Sequence, residues 1–283
     1  MFNLRYHIAS LVAVFLALAI GLVLGGLVVR QGVFDQQQRA LVSSLQSEFN
    51  SLKRQNTSLQ NSLSLESSYA KQMTDEWVAG RLAGTTTLVA TSGDAREGAD
   101  SVAAATKAAG GSVAIATFKW PDFGLSHSGV VSAVASALGS ATPNPTRTDV
   151  AKELTAEWTG AVTTRTLTDA LVSAGELKLT GLPASKTATL AVDLAAFSGD
   201  PDPGGLELIE AYAAAHFFAA GAETYGAGTG VAAAAAARKL SAFDTLGTNP
   251  GAFTLVALFT GGQQGYYSDT ARGATPFPPV PQP

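Results

Sequence analysis

Two different hydrophobic patterns follow each other at the start of this chain. From Ile8 to Val29 there is no charged residue, and apolar or small side chains fill nearly every position. A membrane core about 30 Å thick needs roughly 20 apolar residues in a helix, so this run predicts a transmembrane helix. Between Gln31 and Trp77, apolar side chains instead recur every few residues, and no proline interrupts them. The second pattern predicts one long helix with an apolar stripe.

The stripe on the long helix fits a heptad repeat when Val42 is assigned to position a. The residues at positions a and d are then Val42, Leu45, Phe49, Leu52, Asn56, Leu59 and Leu63, and the frame continues through Glu66, Ala70, Met73 and Trp77. A period of about 3.5 residues kept over several heptads is typical of a left-handed coiled coil. The alternative is a lone helix that packs its stripe against the protein's own globular part.

Asn56 is the informative residue of this seam, because it is polar at an a position. Such an Asn costs stability, but it pairs with its symmetry mate, fixes the register and favours two parallel strands. Two copies anchored in one membrane also have to run parallel. The sequence therefore predicts a parallel homodimer held mainly by residues 36–77. From Phe34 to Trp77 the rod extends about 65 Å at ~1.5 Å per residue.

Beyond Gly80 the pattern changes to short apolar segments between turn-forming residues. Strands are predicted at residues 85–91, 112–118 and 187–194, and helices at residues 95–109, 149–158, 167–174, 206–220, 231–240 and 252–260. Residues 141–148 and 198–205 contain prolines and are predicted as a loop and a turn. The first strand, helix and strand form a βαβ unit, which favours parallel pairing. The predicted fold class is thus α/β: an N-terminal transmembrane helix, a parallel coiled coil, then one α/β domain with a mostly parallel sheet between helices.

The apolar run has a second interpretation as a cleaved signal peptide. The segment Ala17-Leu18-Ala19 has the small residues of a cleavage site, and Arg5 supplies a minimal positive charge before the run. Because the apolar character continues about ten residues past Ala19, we favour an uncleaved anchor. The charges on the two sides, Arg5 before and Arg30 and Arg39 after, do not fix its orientation.

The composition offers few groups for catalysis or metal binding. The net charge of −4 provides no basic surface for nucleic acid, and the absence of cysteine excludes thiolate nucleophiles and thiolate metal sites. His7, His127 and His216 have no second ligand at a metal-binding spacing. We therefore predict no enzyme activity, and we assign no catalytic, cofactor-binding or metal-ligating residue.

Two weaker motifs favour ordinary structure over a ligand site. The loop Gly226–Gly230 precedes an alanine-rich helix, but it lacks the lysine and the full glycine spacing of phosphate-binding loops, so it predicts a flexible helix start. Asp200 and Asp202 lie among prolines without the closing glutamate of a calcium loop, which predicts a plain turn.

Three segments of the chain form a recognisable set: the start LRYHIASLVAVFLALAIGLVLG, the segment AGGSVAIATF, and the close, in which Ser241-Ala242-Phe243-Asp244 leads to Gly265-Tyr266-Tyr267 and a proline-rich tail. With them the chain resembles the actinobacterial MctB family over almost its whole length, and best at its two ends. The family pattern has Asp-Asn and Gly-His-Tyr-Gly in the closing segment. Here those positions are Asp244-Thr245 and Gly265-Tyr266-Tyr267-Ser268, so the histidine is absent.

The resemblance implies two roles and an orientation. The family is labelled as copper transport or copper homeostasis in the cell envelope, and copper is expected here only on that label. Relatives called SteB are inner-membrane partners of a cytoplasmic protein, SteA, in septation and cell-wall hydrolase control. This implies a single-pass protein of the cell membrane, with a SteA-like partner at the N-terminal tail and an unidentified extracytoplasmic partner.

With that orientation the chain divides into five parts. These are a cytoplasmic tail (1–7), a transmembrane helix (8–29), a coiled coil (31–79), an extracytoplasmic α/β domain (80–272) and a proline-rich tail (273–283). Because a lone apolar helix forms no ion pathway, we favour a dimeric scaffold over a dedicated copper transporter.

Overall fold

The computed structural model describes residues 4–30, 33–93, 96–139, 142–181, 194–198, 203–228, 230–271 and 274–280. Within these ranges the chain forms nine helices and seven strands. In chain order they are α1 (Leu4–Arg30), α2 (Val33–Val78), β1 (Thr86–Ser92), α3 (Arg96–Ala108), β2 (Ser112–Phe118), α4 (Ser128–Leu138), α5 (Arg147–Trp158), α6 (Thr166–Ser173), β3 (Leu177–Thr180), β4 (Leu194–Ser198), α7 (Pro203–Ala214), β5 (Phe218–Thr224), α8 (Val231–Ala237), β6 (Ser241–Leu246), α9 (Asn249–Phe259) and β7 (Tyr266–Tyr267).

The chain divides into two compact units, Met1–Glu66 and Ser67–Pro283. In the first unit, α1 contains the stretch Arg5–Leu27, which is long and apolar enough to cross a membrane and is not buried inside the molecule. This helix is consistent with membrane anchoring. The second unit holds all the strands of the described ranges and is the α/β part of the protein.

The strands of the second unit form one mixed sheet in the order β3-β2-β1-β4-β5-β6-β7. All neighbouring strands run parallel except β2 and β3, which are antiparallel. The order reverses between β1 and β4, because the chain first adds strands on one side of β1 and then on the other. Such a reversal opens a crevice at the carboxyl ends of the strands.

Helices cover both faces of this sheet. Leu88 and Ala90 of β1 belong to a core that includes Trp158 of α5 and Tyr212 of α7. Val89 points to the opposite face, where it joins a second core built from α3, α9 and the end of α2. This alternation along β1 follows from the two-residue period of a strand. The prediction of a mostly parallel sheet between helices is thereby confirmed.

The first βαβ unit agrees closely with the sequence pattern. β1 pairs with β2 in parallel over Thr86–Ser92, and α3 connects them. Gly110 adopts a φ of +79° after α3, a conformation that glycine accepts without strain, so the helix stops where the Gly110-Gly111 pair predicts. The predicted strand 187–194 lies outside the described residues except for Leu194, where β4 begins.

The helix predicted over residues 206–220 is wrong at its C-terminal end. α7 ends at Ala214, His216 adopts a φ of +63°, and β5 begins at Phe218. The three alanines of β5 imitate a helical composition, because alanine has the highest helix propensity. Small residues are nevertheless required in this strand, because α8 packs closely against it. A Cβ added at Gly221 would come within 2.8 Å of Ala235.

Other boundaries shift for local reasons. The predicted loop 141–148 ends two residues early, because Thr146 caps α5 and exchanges hydrogen bonds with Asp149 in a capping box. The predicted helix 231–240 is shorter, since α8 ends at Ala237 and β6 follows from Ser241. The sequence pattern did not predict α4, β3, β5, β6 or β7.

Candidate functional site

The seven residues predicted to form the coiled-coil seam all lie on α2, and all are exposed in the single chain. The exposed fraction of the six apolar side chains runs from 57% at Leu45 to 68% at Phe49, and Asn56 is exposed as well. Residues three and four positions apart on a helix lie on the same face. α2 therefore presents the exposed heptad stripe, which we define as Val42, Leu45, Phe49, Leu52, Asn56, Leu59 and Leu63.

Leaving this stripe in water is unfavourable. Full burial of one Leu, Val or Phe side chain stabilises a protein by about 1.5–3 kcal/mol, so six such residues provide a substantial drive for association. The opposite f positions of the same frame carry Ser47, Arg54 and Asn61, which are polar and exposed. Because one face is apolar and the other polar, the exposed heptad stripe is the candidate interaction surface of this protein.

The C-terminal end of α2 is used differently. The Trp77 ring lies 4.4 Å from the Phe253 ring of α9, and the Arg81 guanidinium lies over the indole at 4.0 Å from its centroid. Val78 is buried in the core formed with α3 and α9. The heptad frame assigns Trp77 to an a position, but this side chain already packs within its own chain. The part of the seam that a partner helix can contact therefore ends before Trp77. The contact between copies is shorter than the predicted range 36–77.

The loop Gly226–Gly230 leads to a helix whose N-terminus is already occupied. The Glu223 carboxylate accepts hydrogen bonds from the backbone N–H groups of Gly230, at 3.1 Å, and Ala232, at 3.3 Å. A carboxylate at a helix N-terminus is favourable because it neutralises the unpaired N–H groups there. Glu223 stands where a phosphate would bind, so the loop is a helix start capped from within.

A second carboxylate caps α6 in the same way. Glu157 is almost fully buried, and it accepts hydrogen bonds from the N–H groups of Leu167, at 2.7 Å, and Thr168, at 2.9 Å, and from the Thr168 hydroxyl. Burial raises the pKa of the Glu157 carboxyl, and these hydrogen bonds act against that rise. Both carboxylate oxygens accept hydrogen bonds from the start of α6, and Glu157 itself lies on α5. This carboxyl therefore links the two helices.

The closing segment that carries the family resemblance forms a hydroxyl cluster around Asp244. The hydroxyls of Tyr266, Ser268 and Thr270 all donate to Asp244 Oδ2, the first at 3.2 Å and the last at 3.3 Å. The same Ser268 hydroxyl accepts from the N–H groups of Thr270 and Ala271. The cluster fastens the residues after β7 to β6. The spacing of these residues along the chain did not predict the cluster. Both segments, around Asp244 and around Tyr266, carry the family resemblance.

The three histidines are well separated in the sequence and have different surroundings. His7 is on α1, His127 stacks on Trp120, and His216 follows α7 in a left-handed conformation. Among the described residues, no group of three or more His, Asp or Glu side chains converges as a metal site would require. Asp200 and Asp202 lie outside the described residues.

Together these features define a class: a mixed α/β protein with one N-terminal helix suited to membrane anchoring and a long helix with an exposed heptad stripe. Comparison with known protein families identifies the family within this class. Residues 1–261 match the family described as copper transport outer membrane protein, MctB, and the chain belongs to that family. The family resemblance seen in the sequence is confirmed. No curated protein and no solved structure gives a significant match to the chain.

Proposed function

We propose that this protein is a non-catalytic, dimeric scaffold that is anchored in the cell membrane by α1. Its short N-terminal tail meets a SteA-like partner in the cytoplasm, and the α/β unit contacts a partner outside, as in septation and cell-wall hydrolase control. The observation that carries this proposal is the exposed heptad stripe on α2. A second copy of the chain is its best occupant, because the same apolar spacing on both helices gives knobs-into-holes packing.

Charges beside the stripe support a parallel and in-register pair. In the heptad frame Glu48 is a g position, and Lys53 is the e position that follows it by five residues. Parallel two-stranded coiled coils bring each g residue next to that e residue of the other helix. Glu48 of each copy would therefore meet Lys53 of the other, with opposite charges. Asn56 at an a position favours the same arrangement.

The membrane helix is compatible with this pairing. Gly21 and Gly25 lie four residues apart on α1, and a Cβ added at either would meet no atom of the described structure within 4 Å. Small residues at this spacing let two helices approach closely in a bilayer. α1 therefore offers a surface on which two copies can continue their contact into the membrane.

Labelling of single cysteines tests the proposed topology, since the native chain contains no cysteine. We expect Asn3→Cys to resist an impermeant thiol reagent in intact cells and Ser64→Cys to react, because the two positions would lie on opposite sides of the membrane. Permeabilised cells are the control, and both variants should then react. Labelling at position 3 alone, or recovery of a mature chain that begins at Ile20, would contradict the proposal.

Replacing the polar residue of the seam should separate stability from specificity. We expect Asn56→Leu to raise the melting temperature and to admit oligomers other than the dimer, because a buried Asn gives up stability for register. Thermal unfolding combined with sedimentation of the fragment from Gln31 onward measures both effects. A variant that melts lower and stays strictly dimeric would show that the heptad frame is wrong.

The alternative function is a dedicated copper efflux component, which the description of the family favours. A transporter needs a pathway through the membrane and copper ligands such as clustered His, Cys or Met. The described residues include one candidate membrane-spanning helix, and a single helix encloses no pathway. The sequence contains no Cys, and one of its two Met residues is Met1.

Calorimetry distinguishes these two functions. We expect the fragment from Gln31 onward to bind Cu(I) and Cu(II) weakly and without defined stoichiometry, because no three His, Asp or Glu side chains converge among its described residues. A His127→Ala, His216→Ala variant serves as the control and should give the same titration. A single site with a Kd well below about 1 μM, lost in that variant, would favour the copper component and count against the scaffold.

A further inference from the structure

The loop that follows β2 carries an exposed aromatic pair. The indole of Trp120 stacks on the imidazole of His127, with 4.7 Å between ring centroids and 19° between ring planes. Trp120 is 39% exposed although tryptophan is the largest apolar side chain, and Lys119 Nζ lies 5.5 Å from its ring centroid. An indole held in a fixed orientation at the surface is a common means of binding a flat apolar ligand face.

The backbone under this pair is held in place by two carboxylates. Glu176 Oε1 accepts a hydrogen bond from the Trp120 N–H at 2.9 Å. Asp122 accepts from the N–H groups of Gly124, at 3.1 Å, and Ser126, at 2.9 Å. A Cβ at Gly124 would come within 2.8 Å of Glu176, so the loop requires glycine there. The aromatic pair is thus preorganised, which reduces the entropy lost when a ligand binds.

A polar cleft of about 360 Å³ opens beside the same loop. Its polar lining consists of Asp122, Ser126, Thr146, Arg147, Thr148 and Glu207. Ser126 connects the two features, because its hydroxyl lies 3.3 Å from His127 Nδ1. The aromatic pair and the polar cleft are therefore parts of one surface at the carboxyl edge of the sheet, where β2 ends.

The polar cleft offers both donors and acceptors of hydrogen bonds. Thr148 donates to Glu207 Oε2 at 2.8 Å, and Arg238 Nη1 lies 3.8 Å from Glu207 Oε1. Each oxygen keeps a further lone pair that can accept from a ligand. Within the described ranges, the Arg147 guanidinium has no hydrogen-bond or ion-pair partner, so its donors are free. Arg147 and the ion-paired Arg238 offset the two carboxylates of the lining, so the polar cleft suits a ligand without net charge.

We propose that this surface binds an uncharged pyranose glycan. The C–H groups on one face of a pyranose ring carry partial positive charge and can pack against the 39% of the Trp120 side chain that His127 and Lys119 leave exposed. The hydroxyls of the same sugar both donate and accept, which matches the mixed lining of the polar cleft. The volume of the cleft is close to the lower end of ordinary ligand sites, about 300 Å³, and so suits one or two sugar units. This proposal requires only the α/β unit and does not depend on dimer formation.

Titration of the full-length protein in lipid nanodiscs tests the proposal, because maltoside detergents would themselves supply sugar. The probes are N,N′-diacetylchitobiose, which is uncharged, and the disaccharide of N-acetylglucosamine and N-acetylmuramic acid, which carries a carboxylate. We expect the uncharged probe to bind more tightly. Trp120→Ala should weaken its binding by about tenfold or more, and Trp120→Phe should restore part of it. Tyr69→Ala removes an exposed aromatic ring on α2 and should leave binding unchanged.

Saturation-transfer NMR supplies an independent readout, because sugar protons that pack on the indole should receive the strongest transfer. Circular dichroism confirms that each variant is folded. Absence of binding by the wild-type protein at about 10 mM of the uncharged probe, or tighter binding of the charged probe, would overturn the proposal. So would a folded Trp120→Ala variant that binds the uncharged probe as well as the wild type does.

Discussion

Replacement of Leu45, Leu52 and Leu59 by alanine should convert the dimer into monomers. All three are d positions of the exposed heptad stripe, and each would be buried in the seam. A buried Leu→Ala change costs about 2–5 kcal/mol, and each dimer contains two copies of every substitution. The expected loss in free energy of association exceeds the contribution of any single polar contact along the rod. Sedimentation of the fragment from Gln31 onward measures it without a contribution from α1.

A matched control variant distinguishes loss of the seam contacts from a general effect of alanine substitution on α2. Ser47→Ala, Arg54→Ala and Asn61→Ala change the same number of residues on the f positions of the same helix. Alanine has the highest helix propensity, so this control should remain helical and dimeric. If the wild-type fragment is already monomeric at tens of micromolar, or if the two variants associate equally, the stripe is not a dimer seam.

The elements predicted best from sequence are those with strong local signals. β1, α3 and β2 lie within a residue or two of their predicted bounds, since β-branched residues, a terminating glycine and a polar turn define them locally. α2 runs from Val33 to Val78, close to its apolar periodicity. Such signals depend on the neighbouring residues and require no knowledge of the tertiary fold.

The missed elements depend on tertiary contacts. β5 consists largely of alanine and glycine, and its identity as a strand follows from pairing with β4 and β6 and from the closely packed α8. β3 has only four residues and is stabilised by antiparallel pairing with β2. Alanine is the best helix former on its own, so propensity assigned part of β5 to a helix and tertiary structure overrode it.

The only part of the candidate site that could be predicted from sequence is the exposed heptad stripe, because it is periodic. The stripe on α2 could be deduced from its heptads, because one helix determines which residues share a face. The contact of Trp77 with Phe253 could not, since it joins two helices far apart in the chain. The carboxylate of Glu223 at the start of α8 was equally hidden, because a cap of this kind is fixed by the turn between a strand and a helix.

Disulfide formation in membranes tests the central claim, a parallel and in-register dimer of α2, most directly. Leu52→Cys and Leu59→Cys place a single thiol at d positions, while Ser47→Cys and Asn61→Cys place one at f positions of a chain without native cysteine. A disulfide needs Cα atoms about 4.4–6.8 Å apart. Symmetry mates at d approach that range, whereas those at f lie on opposite sides of two helices, each about 10 Å wide.

Mild oxidation of the full-length variants in native membranes should therefore give covalent dimers for Leu52→Cys and Leu59→Cys, and monomers for Ser47→Cys and Asn61→Cys. Efficient cross-linking at both d positions would establish register as well as orientation, since each thiol meets only its own counterpart. Equal cross-linking at d and f positions, or none at d, would contradict the proposed dimer and remove the basis for the scaffold.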